Sequence, residues 1–122
     1  MTPDFLLLYV ADPEASARFY GDLLGAKPLD ARPGFVMFML GNGMRLGLWG
    51  KDTVAPAPNA PGGFEIGWPV GSDADVDQIA GEWAARGITI VQQPETMGFG
   101  RTFTALDPDG HRLRIYQPAL RQ

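Results

Sequence analysis

No cysteine occurs anywhere in the 122 residues. That excludes a disulfide framework and thiolate chemistry, and it fits a reducing, cytoplasmic setting. Histidine is nearly as scarce, with His111 alone. One imidazole cannot build a metal site, and here it has no thiol to activate. No run of about 18 apolar residues is present, so no membrane span is expected. Positive charge is not in excess either. A net charge of −4 and a pI near 4.7 argue against DNA or RNA as partners, because phosphate neutralisation needs a basic face. The opening Met1-Thr-Pro-Asp has no basic segment of the kind that starts a secretory signal, and none is expected.

What is present is the composition of an ordinary globular domain, 45% hydrophobic and 20% charged. The length suits a single domain spanning residues 1–122. Its 16 glycines and 11 prolines predict frequent tight turns between short strands. Phe5 to Val10 is an apolar run that reads as a buried strand. Asp12 then suits a helix N-cap and Pro13 the first helical position. Phe19, Leu23 and Leu24 recur at helical spacing before Gly25, a C-terminal stop. Phe35 to Leu40 and Met44 to Trp49 read as strands around the hairpin signal Gly41-Asn42-Gly43.

Lys51 to Gly63, with three prolines and two closing glycines, reads as a linker. After it the order repeats. Phe64 to Val70 reads as a strand that Pro69 assigns to an edge or bulge. A helix runs from Ser72 or Asp73 to Arg86, with Val76, Ile79, Ala80 and Trp83 on one face. Ile88 to Val91, Thr102 to Leu106 and Arg112 to Tyr116 follow as strands, the last two joined by Asp107-Pro108-Asp109-Gly110. Val10 and Val70, Gly25 and Gly87, and Gly43 and Gly110 correspond at offsets of 60, 62 and 67 residues. Residues 1–50 and 64–118 are therefore read as two βαβββ units joined by 51–63.

The segments VADPEASARFYGDLLGAKP and FTALDPDGHRLRIYQP, set in that doubled order, resemble the glyoxalase, bleomycin-resistance and extradiol-dioxygenase superfamily of vicinal oxygen chelate proteins. The longer string GGFEIG…ARGITIVQQPETMGFGRTFTALDPDGHRLR is most similar to its bleomycin- and phenazine-resistance-like branch, whose members bind aromatic antibiotics. The resemblance implies an α+β fold in which two tandem βαβββ units form curved mixed sheets around a cleft, with helices outside. It also implies a homodimer.

Enzymes of that superfamily hold a divalent metal at positions that correspond here to Phe5, Gly47, Glu65 and Arg114. Only Glu65 carries a donor; Phe and Gly offer none, and Arg is permanently protonated. Neither a metal nor another cofactor is expected, and no catalytic residue is assigned. If those four positions face the cleft, alternation adds Leu7, Tyr9, Arg45, Trp49, Gly67, Arg112 and Tyr116. It turns Leu6, Leu8, Val10, Leu46, Leu48, Ile66, Trp68, Val70, Leu113 and Ile115 towards the helices. The registers of Phe35, Met37, Phe38 and Phe103 stay open. Trp49 leads the ligand contacts, able to stack on a planar ring. Trp68 and Trp83 are read as core. Gly47 and Gly67 leave room at the floor, or else mark a strand bulge or a close-packing site. Met97-Gly98-Phe99-Gly100 reads equally as a lid bearing a stacking Phe99 and as an ordinary loop.

Glu65 and Arg114 are expected to pair, with the guanidinium also able to take a ligand carboxylate. His111, Asp107 and Asp109 are read as turn residues, with His111 solvated on the rim. These expectations describe a metal-free protein that sequesters a planar aromatic antibiotic or toxin by binding it. The alternative is a glyoxalase- or dioxygenase-type enzyme, metal-free with Glu65 as base or else metal-dependent. Sensing is not distinguished from sequestration.

Overall fold

The computed structural model describes residues 1–60 and 62–118. They form two helices and eight strands in two mixed sheets, and the chain separates into compact units Met1–Ala60 and Pro61–Gln122. The first unit contains β1 (Phe5–Val10), α1 (Pro13–Leu24), β2 (Asp30–Arg32), β3 (Phe35–Met39) and β4 (Arg45–Gly50). Its sheet order is β1-β4-β3-β2, with β1 parallel to β4 and the other pairs antiparallel.

α1 starts where its residues require. Asp12 accepts hydrogen bonds from the Glu14 and Ala15 amides at 3.0 and 3.3 Å, satisfying donors that the helix cannot. It ends at Gly25, whose φ of 62° is left-handed and cheap only without a Cβ. Its buried face runs through Ser16 and Tyr20, while Phe19, Leu23 and Leu24 stay half-buried. The tyrosine, one turn after the serine, carries the helix contact that the aliphatic spacing pointed to elsewhere. Under the helix lie Leu8, Val10, Val36, Phe38, Leu46 and Leu48, all buried.

β2 was not among the expected strands. It has only three residues and no apolar pattern, and it exists by pairing with β3 through Ala31 opposite Val36. The segment after β4 opens with a 3₁₀ turn, Lys51–Thr53. There the Thr53 hydroxyl donates to the Gly50 carbonyl at 2.7 Å, and Val54 is buried behind it.

The second unit repeats the order: β5 (Glu65–Pro69), α2 (Asp73–Ala85), β6 (Ile90–Met97), β7 (Gly100–Leu106) and β8 (Arg112–Pro118), in sheet order β5-β8-β7-β6. Pro69 lies on the edge strand β5, and Pro94 lies on the other edge strand, β6, where the register shifts. Both placements spare the inner ladder a missing donor. Ser72 caps α2 by accepting from the Asp75 amide at 3.1 Å. Val76, Ala80 and Trp83 are buried on the sheet side, where Trp83 meets Phe103 edge-on at 5.3 Å and Trp68 at 6.4 Å. An ion pair of 2.8 Å between Arg101 and Asp77 fastens β7 to the same helix.

The turn between β7 and β8 corrects one expectation. His111 is not solvated: it keeps 9% of its surface and Asp107 keeps 5%. One Asp107 carboxylate oxygen accepts from the Asp109 and His111 amides at 2.8 and 2.9 Å, drawing the turn inward. Among the described residues no helix is long and apolar enough to cross a membrane.

Candidate functional site

Strand register decides which side chains share a face. Residues opposite one another across a ladder point the same way, and neighbours along a strand point opposite ways. In the first unit Phe35, Trp49 and Tyr9 form one row across β3, β4 and β1. The next rows are Met37, Gly47 and Leu7, then Met39, Arg45 and Phe5. These nine positions make up the face turned away from α1, with Gly47 at the centre. Phe35 and Met37 thus join the predicted set, whereas Phe38 belongs to the core.

The rings of the first row interlock. Trp49 stands edge-to-face with Tyr9 at 6.1 Å and with Phe35 at 6.5 Å, the geometry that ring quadrupoles favour. Gly47 provides the space beneath them, but that space is already used. A Cβ there would lie 2.8 Å from both Leu7 Cδ2 and Phe5 Cε1 and 3.1 Å from Phe35 Cζ. The glycine lets three neighbouring side chains settle over the strand and close an apolar floor. Arg45 is the one cation of the nine, 5.9 Å above the Phe5 ring and 3.5 Å from Asp4. Leu7, Tyr9 and Met39 remain exposed.

The open face of the second unit is polar. Glu65, Gly67, Arg112, Arg114 and Tyr116 share it, as expected, with Thr102, Thr104 and Gln92. Arg114 donates from Nε to Glu65 Oε1 at 2.7 Å and from Nη2 to Oε2 at 2.9 Å, so the pair anticipated above forms and is bidentate. Its Nη1 donates to Gln92 Oε1 at 3.0 Å and to Thr102 Oγ1 at 3.1 Å. Thr104 donates to the same Gln92 oxygen at 2.7 Å, and Gln92 Nε2 donates to Glu95 at 3.0 Å. Thr102 and Thr104 are buried, and the hydroxyl of Thr102 also donates to the Ile115 carbonyl. No residue of this threonine–glutamine support appeared among the predicted site residues. Thr102 and Thr104 alternate around the buried Phe103, and that alternation was the available signal.

Met97 and Gly100 close a hairpin whose two-residue tip is Gly98-Phe99. Phe99 folds over the network: its ring centroid lies 5.7 Å from Arg114 Cζ and 6.3 Å from the Tyr116 ring. Met97 sulfur accepts from Gln92 at 3.3 Å. The structure therefore brings Glu65, Arg114, Tyr116, Met97 and Phe99 into one cluster. It gathers Phe5, Tyr9, Arg45, Gly47 and Trp49 into another.

The donor set does not fit a divalent metal. Among the described residues no three His, Cys, Asp or Glu side chains are grouped to hold one. Glu65 spends both oxygens on Arg114, and Arg112 approaches it to 4.0 Å. The hydrogen bonds from Arg114 hold the Glu65 carboxyl below its ordinary value of 4.5; burial opposes this more weakly, and the charges of Arg114 and Arg112 add to it. The same bonds push Arg114 further up. A carboxylate with a depressed folded value contributes stability above its unfolded value, and that contribution is lost as pH falls through the folded one. The melting temperature is therefore expected to drop in acid below about pH 4.5 more steeply than in Glu65→Gln, with thermal melts across that range as the check.

A separate depression of about 480 Å³ lies on the first unit beside the start of α1, bordered by Asp12, Glu14, Arg32 and Pro33. It contains none of the predicted site residues. Asp12 is committed to the helix cap there, and Arg32 is paired with Asp30 at 3.0 Å.

Known proteins share this architecture. A relative from Enterobacter agglomerans, the phenazine antibiotic resistance protein EhpR, is 33% identical across 94% of this chain and 91% of its own. The solution structure of protein ATC0852 from Agrobacterium tumefaciens is 49% identical, with a TM-score of 0.90 over 98% of this chain and 99% of that one. A glyoxalase-related enzyme from Fulvimarina pelagi is 26% identical, with a TM-score of 0.83 over 96% of this chain and 88% of the other. Residues 2–115 match the family model for the Glyoxalase/Bleomycin resistance protein/Dioxygenase superfamily, and the chain belongs to that superfamily.

Proposed function

We propose that this chain is a metal-free small-molecule-binding protein that sequesters a planar aromatic antibiotic or toxin, in the manner of a resistance protein. The observation that carries the reading is what occupies the four positions that serve metal in related enzymes. Phe5 packs over Gly47, and Glu65 and Arg114 are spent on each other. In place of a coordination sphere the first unit offers the Phe35, Trp49 and Tyr9 row, a surface suited to flat rings. The likeness to a phenazine antibiotic resistance protein points to the same class of ligand. A cytoplasmic homodimer is part of the proposal; the exposed Leu7 and Met39 favour further cover on that face.

The enzymatic alternative with Glu65 as base needs a carboxyl raised towards neutrality. Its arginine partner pulls it the other way. Binding without turnover is the better account.

Titrating phenazines, quinones and glycopeptide antibiotics while following tryptophan fluorescence tests it. Saturable quenching by a planar compound is expected. Trp49→Phe should remove most of the signal and weaken binding about 2- to 10-fold, the contribution of one ring contact. Absence of quenching by every compound would sink the proposal, and identical quenching in Trp49→Phe would remove Trp49 from the site.

A further inference from the structure

A guanidinium presents five N–H donors in one plane, and its two faces are left for rings. In Arg114 four such bonds are made: two to Glu65, one to Gln92 and one to Thr102. They hold the plate by its edges from three directions. A ligand carboxylate seeking the paired Nε and Nη2 edge would have to displace Glu65 from bonds of 2.7 and 2.9 Å. Four of the five donors are thus taken, and beyond one Nη2 N–H the arginine offers a ligand its charge, against which a ring can pack.

The Arg114 Cζ lies over the Phe99 ring, 5.7 Å from its centroid and within the range of a cation–π contact. Phe99 is itself weakly held. It is 38% exposed and sits at a hairpin tip between Gly98 and Gly100, and Gly100 has a φ of 136°. Its neighbour Tyr116 stands edge-on at 6.3 Å and adds an aromatic wall.

We propose that the Arg114 guanidinium is a cation–π site for an electron-rich planar ring, and that Phe99 occupies it until a ligand displaces it. This rests on the reading of the chain as a binder of planar aromatics. It adds a contact distinct from Trp49 and selects ligands by the electron density of their rings. A fused ring system offers the cation more π surface than a single phenyl can, so exchange favours the ligand. Glu65, Gln92 and Thr102 are positioning residues: they fix the guanidinium in place and occupy four of its five donors.

Equilibrium dialysis of 2-naphthol and its saturated counterpart decahydro-2-naphthol tests this on the full chain. The proteins compared are the unaltered chain, Phe99→Ala, and Phe99→Ala combined with Glu65→Gln and Arg114→Met. Phe99→Ala is expected to bind 2-naphthol about fivefold more tightly than the unaltered chain, and to gain less than about twofold for the saturated compound. The triple variant should lose the preference for the aromatic compound. Unchanged or weakened binding of 2-naphthol by Phe99→Ala overturns the inference, and so does a preference that survives in the triple variant. Should the triple variant fail to fold, Phe99→Ala decides alone. Trp49 quenching that is indifferent to residue 99 would leave the broader reading standing while this one falls. A Phe99→Ala gain without Trp49 quenching would uphold this contact and remove Trp49 from the site.

Discussion

Phe103→Ala is expected to destabilise the protein by about 3–5 kcal/mol, as deletion of a fully buried ring does. Phe103 has no exposed surface, and it anchors a chain of edge-on contacts through Trp83 to Trp68 that joins β7 to α2 and β5. The cavity would open where the sheet and its helix meet, and buried partners on both sides limit how far it can collapse. Phe99→Ala deletes the same ring from the opposite face of the same hairpin. It should cost less than about 1 kcal/mol, because that ring is already partly in water. Chemical denaturation separates the two: the midpoint should fall far for Phe103→Ala, with little change in slope. Comparable losses would mean that Phe99 is held as firmly as the core ring, against its partial exposure.

Arg114→Met is the second large effect. It removes four hydrogen bonds at once and leaves the Glu65 carboxylate and the Gln92 oxygen without their cation. Glu65 keeps 34% of its side chain exposed, so water recovers part of the loss. A cost of about 1–2 kcal/mol follows, the lower part of the range for charge-assisted bonds. Glu65→Gln added to Arg114→Met should restore most of it, since the second change removes the stranded charge. A double-mutant cycle that gives simple additivity would show that the pair contributes no coupling.

The fold was largely legible, because its signals are local. Asp12 with Pro13, Gly25, Gly41-Asn42-Gly43 and Asp107 to Gly110 each mark an element end by backbone chemistry that acts within a few residues. The two-residue alternation sorted Leu8, Leu46 and Leu113 from Tyr9, Trp49 and Arg114 once one position per strand was set. What escaped is non-local. β2 has no pattern of its own and borrows its geometry from β3. β6 runs on through Pro94 because its register shifts there, and a proline in the sequence reads as an end. Whether Phe103 or its threonine neighbours face the helix depends on the register with β8, which no stretch of β7 reveals. At Gly47 the sequence leaves open floor space and close packing as alternatives, and only the approach of Leu7, Phe5 and Phe35 decides for close packing. Arg114 was legible as a partner of Glu65. Its remaining bonds to Gln92 and Thr102, which turn it from a clamp into a plate, come from strands far along the chain.

The central claim is that a flat ligand binds without a metal. Isothermal titration of phenazine into the chelator-treated protein, repeated after adding back manganese or zinc, tests it most directly. Saturable binding of the same strength with and without the ion is the expected result. Binding that appears only when one ion per chain is restored would contradict the account.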